Sequence, residues 1–344
     1  MRLPMRLRSL ALLVAFGTMA LSGTGTGTGT GAAVSSGAAD ADGAGRIVRA
    51  HEVMRLTSVH EESGMTLLEG PVFDPAGRLL VVDVTAPAGA PKLLSVDVRR
   101  KTARGIFTDG QGHYSSAQFS PFDGRLYLTD IAQGIVISLE PDGSDPRTFF
   151  DGEVDGVRMV PDDIAFDRDG NLYISDLLGM TEGEDRGRVV RLDRSGENAT
   201  VLADGLAATN GISFDADHRG LWISELTENR ISYLLLDDAG SVLSRHTAMQ
   251  VDNGIAQTDS IAVDADGNLY QGLHGRPAMV VYDRYGELLA TVEIPADTEG
   301  LTSATNVAIR PGTTTAYMTV SGSAGGYLYR FDALAEGTRQ SNGG

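Results

Sequence analysis

One pattern occurs six times along this chain, and no other feature limits its fold so strongly. A few small residues lead into an alternating apolar strand, an acidic or Pro/Gly turn follows, and a second strand rich in Leu, Tyr, Val and Ile closes the unit. The copies read EGPVFDPAGRLLVVD from Glu69, SSAQFSPFDGRLYLTD from Ser115, DDIAFDRDGNLYISD from Asp162, NGISFDADHRGLWISE from Asn210, DSIAVDADGNLYQGL from Asp259 and TNVAIRPGTTTAYMTV from Thr305. They start 46, 47, 48, 49 and 46 residues apart. Each continues into a third strand, as in GRVVRLD and AMVVYD, and most into a fourth, such as PRTFFD and ATVLAD. A period in the forties with strand-turn-strand content is the signature of a propeller blade of four antiparallel strands. The pattern therefore predicts an all-β, six-bladed β-propeller over residues 51–344. A two-sheet sandwich has no need of equal spacing.

After the sixth copy the chain runs into ALAEGTRQSNGG without a good fourth strand. The segment EVMRLTSV at 52–59 can supply it, so an N-terminal strand is expected to close the ring and remove free sheet edges. Ahead of it, Arg2, Arg6 and Arg8 precede the 14-residue apolar stretch SLALLVAFGTMALS. That is a secretory signal, too short for a spanning helix, over residues 1–22 with cleavage somewhere in 20–41. Residues 23–50, rich in Gly, Thr and Ala, have almost nothing to bury and read as a flexible spacer. The expected location is extracellular or periplasmic, with no membrane anchor after cleavage.

A formal net charge of −18 repels phosphate backbones and anionic membranes at long range, so no nucleic-acid partner is expected. The absence of cysteine excludes disulfides, thiolate metal sites, a Cys nucleophile and a lipoprotein anchor. There is no GxSxG elbow, P-loop or HExxH motif, the nearest to the last being HEESG at 60–64.

In a propeller the first strand of each blade lines the central channel, with its N-terminal end at one mouth. The residues opening the six copies, Glu69, Ser115, Asp162, Asn210, Asp259 and Thr305, then encircle that mouth, and none is apolar. Three carboxylates and an amide in one place repel or desolvate one another unless a cation sits among them. Donors that are all oxygen suit Ca2+ better than Zn2+ or Mg2+, although other divalent cations remain open. Asn210 reads as a neutral carbonyl ligand, and Gly211 after it lets the backbone come close. The DRDGN, DADHRG and DADGN turns carry Asp and Gly because hairpins need them, and they lack the closing Glu of an EF-hand loop. His113, two residues before Ser115, is a candidate substrate-binding residue; His274, Tyr114 and Met159 are others near the mouth.

LEGPVFD, TNGISFD and TDSIAVDADGNLY, together with LWISELTENRI and GELLATVEIP, resemble motifs of the senescence marker protein-30/gluconolactonase family of calcium-dependent lactonases, which are six-bladed propellers. The resemblance covers roughly residues 60–335. It implies a calcium shell of Glu69, Asp162, Asn210, Asp259 and Ser260, with Asp259 also the catalytic acid/base, and a small-molecule lactone as substrate. The resemblance leaves a second, structural calcium in the second and third blades open, because Ile131 stands near an expected hydroxyl and Asp155 is about one place off register. The expected function is a secreted hydrolase that opens lactones or related cyclic esters by attack of metal-activated water. Alternatives are an aldonolactonase or organophosphate esterase at the same metal, or a non-catalytic propeller that binds a ligand or protein.

Overall fold

The computed structural model describes residues 45–180 and 186–340. The segment expected to be a signal and most of the expected spacer lie outside the described residues, as does the extreme C-terminus. Among the described residues the regular structure is β, apart from a single 3-10 turn at Leu226–Glu228. The alternating pattern of each copy becomes an antiparallel hairpin whose first strands are Leu68–Phe73, Tyr114–Phe119, Pro161–Phe166, Thr209–Phe214, Gln257–Val263 and Leu301–Ile309. Units one to four are separate four-stranded antiparallel sheets, while units five and six share a nine-stranded sheet through one pairing, Leu273 with Ala304.

The first strand of each unit packs against the first strand of the next, and that of the sixth against that of the first, so the six surround a common centre. Apolar side chains fill the seams between units. Val72, Leu80 and Val82 of the first unit pack with Ala117, Leu126 and Leu128 of the second, for example. Tyr127 of the second unit stands edge-on to Phe166 of the third, with ring centroids 5.1 Å apart. Each such side chain buried contributes roughly 1.5–3 kcal/mol, so the seams bind neighbouring sheets together.

Chain ends are tied in by pairing. The strand His51–Thr57 lies antiparallel to Gly325–Asp332, from His51 opposite Arg330 to Thr57 opposite Gly326. Arg46–Arg49 pairs in parallel with Leu288–Glu293 of the fifth unit. That short strand falls in the last residues of the segment expected to be spacer; in RIVR the β-branched Ile47 and Val48 favour an extended strand that docks on an open edge.

The acidic turns serve the hairpins. Asp167 accepts the amides of Asp169 and Asn171, at 3.0 and 2.8 Å, and Asp264 those of Asp266 and Asn268, both at 3.0 Å. Their carboxylates are thus engaged by backbone, as an Asx turn requires.

Candidate metal centre

Every first strand loses its ladder register beside the residue that opens its copy. The slips fall between Glu69 and Val72, Tyr114 and Ser116, Pro161 and Ile164, Thr209 and Ile212, Thr258 and Ile261, and Ala304 and Asn306. A regular strand would send successive side chains to opposite faces, whereas a bulge re-aims them. Two consecutive positions per unit are consequently buried at the centre: Glu69, Ser115, Asp162, Asn210, Asp259 and Thr305, then Gly70, Ser116, Asp163, Gly211, Ser260 and Asn306.

The glycines of the second set make the crowding possible. A Cβ on Gly211 would stand 2.7 Å from both the carbonyl oxygen of Asp259 and the amide of Ile261 in the next unit. Hydroxyls lock the seams at this level. Ser224 donates to the Asp259 carbonyl at 2.6 Å and receives the Gly211 amide at 2.6 Å, and Thr129 donates to the Asp162 carbonyl at 2.5 Å. Thr305 donates to the Leu68 carbonyl at 3.0 Å, joining the last unit to the first.

Four carboxyl groups meet here. Burial pushes Glu69, Asp163 and Asp259 well above the usual carboxylate range, and the nearby acids push further: Asp259 and Asp163 on Glu69, Asp162 on Asp163 and on Asp259. Burial also raises Asp162, to about 7, against the lowering effect of the Ser115 hydroxyl. Partial relief comes from Thr305 to Glu69, Ser260 to Asp163 and Asn210 to Asp259. The amide nitrogen of Asn210 is thereby turned to Asp259 and its oxygen left over. Glu69 Oε2, Asp163 Oδ2, Asn210 Oδ1 and Asp259 Oδ2 are buried without any hydrogen-bond partner. Buried acceptors left so cost free energy unless something electropositive meets them.

This donor set fits a hard cation: orphaned oxygens from units one, three, four and five, with no nitrogen or sulfur donor required. Among the described residues, no three acidic or histidine side chains form a ready-made chelate on their own. The candidate set is instead mixed, with the neutral oxygens of Asn210 and Ser260 beside the carboxylates. Ser260 Oγ accepts Asn306 Nδ2 at 3.0 Å, which holds the hydroxyl at the centre.

Asp163 and Asn306 were not singled out by sequence reasoning. Alternation assigns the residue after each opening position to the far face, and only the bulge returns it. Two adjacent acids in the otherwise apolar PDDIAF were the available signal.

His113 is half-buried, and its Nδ1 donates to the Val84 carbonyl at 2.8 Å, tying the entry of unit two to unit one. His274 is buried, with Nδ1 3.8 Å from Asp259 Oδ2. It ends the second strand one residue beyond Leu273, which holds the register place that acids take in units one to four. There Asp130 receives the amide of His113 at 3.2 Å, Asp176 that of Val160 at 2.7 Å and Glu225 that of Ala207 at 2.8 Å. Arg188 backs Asp176 at 2.8 Å and Arg230 backs Glu225 at 2.6 Å. These acids hold the segments that deliver the central residues.

The chain is similar to several known proteins. Lactonase drp35 of Staphylococcus saprophyticus is 25% identical over 280 residues, covering 78% of this chain and 84% of the relative. The protein of the same name from Staphylococcus aureus strain MRSA252 is also 25% identical over 280 residues, with the same coverage. Among solved structures, a regucalcin from Agrobacterium tumefaciens described as a calcium-binding protein has a TM-score of 0.67 at 15% identity, over 86% of this chain and 99% of that one. A gluconolactonase from Xanthomonas campestris has a TM-score of 0.65 at 20% identity, over 82% and 88%. The family model described as SMP-30/Gluconolactonase/LRE-like region matches residues 67–322. The chain belongs to the SMP-30/gluconolactonase/LRE-like family.

Proposed function

We propose that this chain is a secreted, calcium-dependent lactonase built as a six-bladed propeller, with His51–Thr57 closing the ring. One observation carries the reading: Glu69, Asp163, Asn210 and Asp259 each bury an oxygen without a hydrogen-bond partner, in a centre where the acids push one another's proton affinity up. The lactonases among its relatives supply the substrate class.

Glu69, Asp162, Asn210, Asp259 and Ser260 would hold the cation, and Asp163 stands at the same centre. Calcium, when bound, supplies a positive charge that polarises a lactone carbonyl. Asn210, pinned through its nitrogen to Asp259, presents its oxygen in a fixed direction. Asp259 takes a proton from water as the water oxygen forms its bond to the carbonyl carbon, then returns it to the ring oxygen as the ring C–O bond breaks. The product is the open hydroxy acid, and no covalent enzyme intermediate is needed. His274, beside Asp259, is placed to orient the carboxyl, and His113 is placed at the entry of the second unit to meet the substrate.

Turnover of dihydrocoumarin, gluconolactone and an acyl-homoserine lactone, each with and without chelator, tests the proposal. Calcium-dependent hydrolysis of at least one is expected. Gluconolactone alone would point to an aldonolactonase, and a chain that hydrolyses none while retaining calcium would be a binding module. Secretion is tested by expressing the full chain and locating its processed form, the expectation being cleavage between residues 20 and 41.

A further inference from the structure

At the end of units one and six away from the candidate metal centre, basic side chains gather in one sector beside the acidic hairpin turns. In the first unit Glu69 opens its strand at one end, while Phe73, Gly77 and Arg78 lie at the other. There a groove of about 920 Å³ runs between the N-terminal strands and units one and six, walled by Arg46, Arg49, Arg99, Lys101, Arg310 and Arg330. Its acidic lining is Glu52 and Asp332. A groove of about 460 Å³ adjoins it through Val98, Arg99, Arg310 and Tyr317, and adds Arg78 and Arg104 against Asp97. This concentration of cations stands out in a chain of formal net charge −18.

Internal pairing accounts for part of it. Arg49 meets Glu293 at 2.7 Å, Arg78 meets Asp74 at 2.5 Å and Arg330 meets Asp332 at 3.4 Å. Arg310 donates to the Gly77 carbonyl at 2.8 Å and covers the Phe73 ring at 5.5 Å. Arg46, Arg99, Lys101 and Arg104 are exposed and make no ion pair among the described residues. The last three come from one hairpin, VRRKTAR at 98–104, and Arg46 reaches the groove from the N-terminal strand. Like charges gathered by separate segments favour an anion between them.

We propose that this double groove binds a flexible phosphate polymer without stacking bases, of the inorganic polyphosphate kind. Arginine predominates over lysine in the lining, and its planar fork suits phosphate oxygens. The groove's phenyl and phenol rings are withdrawn: Tyr317 and Phe331 are only 7% and 3% exposed, and Phe73 lies under Arg310, which leaves the His51 imidazole as the one aromatic ring exposed in the lining. One small ring offers successive nucleobases little to stack on. Ile47 is the single large apolar side chain exposed in the lining, too little to enter a bilayer. The chain's overall negative charge opposes approach from beyond a Debye length, about 8 Å at physiological ionic strength, so a flexible strand that can thread to the groove is favoured over a broad anionic surface.

The inference is independent of the lactonase reading, and its test is separate. Labelled long-chain inorganic polyphosphate is titrated with the whole chain, and anisotropy is followed at several salt concentrations. Saturable binding that weakens as salt rises is expected. Combining Arg99→Glu with Lys101→Glu should weaken it at least about tenfold while leaving lactone turnover unchanged. Arg46→Ala with Arg104→Ala should weaken it in the same sense without reversing any charge. Arg194→Glu with Arg284→Glu, which alters two exposed arginines outside the groove, should change it by less than about twofold. Absence of binding, equal loss in the Arg194/Arg284 variant, or equally tight capture of duplex DNA or anionic vesicles would overturn the proposal.

Discussion

Gly211 and Asp259 touch across a seam, and each makes a distinct prediction. A methyl group at Gly211 would meet two backbone atoms of the next unit at 2.7 Å, and backbone cannot step aside as a side-chain tip can. Gly211→Ala should therefore cost about 1–3 kcal/mol, read as a lower melting temperature, with weaker calcium retention because Asp259 and Ser260 are displaced. Asp259→Ala should lower lactone turnover by about 10²–10⁴-fold through loss of the acid/base alone; activity within a few-fold of the parent would remove Asp259 from the mechanism. Much of this centre was legible in the sequence. The opening residue of each copy is polar in a context that is otherwise apolar, so the ring could be read from spacing. Asp163 could not, since a period of two sends it to the wrong face, and the bulge that returns it has no sequence mark beyond the doubled acid. His274 was legible as a residue near the mouth, and the structure adds its partner, with Nδ1 3.8 Å from Asp259 Oδ2.

At the level of strands and hairpins, the acids ending the second strands brace the segments that enter the first. Glu225 gathers the Ala207 amide, Arg230 and the Ser232 hydroxyl at 2.8, 2.6 and 2.6 Å. Glu225→Ala strands all three, and a loss of about 1–3 kcal/mol is expected, measured by chemical denaturation; a change below a few tenths would show the brace to be dispensable. The pairing of His51–Thr57 with Gly325–Asp332 predicts that removing residues 45–57 leaves a long open edge. Such a chain should aggregate on size exclusion, whereas removing residues 1–44 should leave it well dispersed. The pairing of His51–Thr57 was legible because the sixth copy lacked a partner for its third strand. The parallel strand Arg46–Arg49 was not, being four residues long beside a run of Gly and Ala.

Across the whole molecule, the balance of charge links stability to pH and calcium. Glu69, Asp162, Asp163 and Asp259 bind protons more tightly in the folded chain than in the unfolded one, principally because they are buried. A raised carboxyl contributes stability that is present at acid pH and lost as pH climbs through its folded value, which for Asp162 is about 7. Chelated protein should therefore melt at progressively lower temperature between about pH 4 and pH 8 as far as these groups are concerned, and calcium should restore most at the alkaline end. A flat profile with no calcium effect would mean that the four acids do not share a site. The sequence disclosed the net charge but not its segregation, since the basic groove is assembled from residues far apart in the chain.

The most direct test of the account is calorimetric titration of calcium into the chelator-treated chain at pH 8, repeated on Glu69→Gln and on Asn210→Ala. Saturable binding in the parent chain, weakened in both variants while their folds persist by circular dichroism, is the predicted result. No heat of binding in the parent, or identical binding in all three, would contradict the claim that the central oxygens exist to hold a dication.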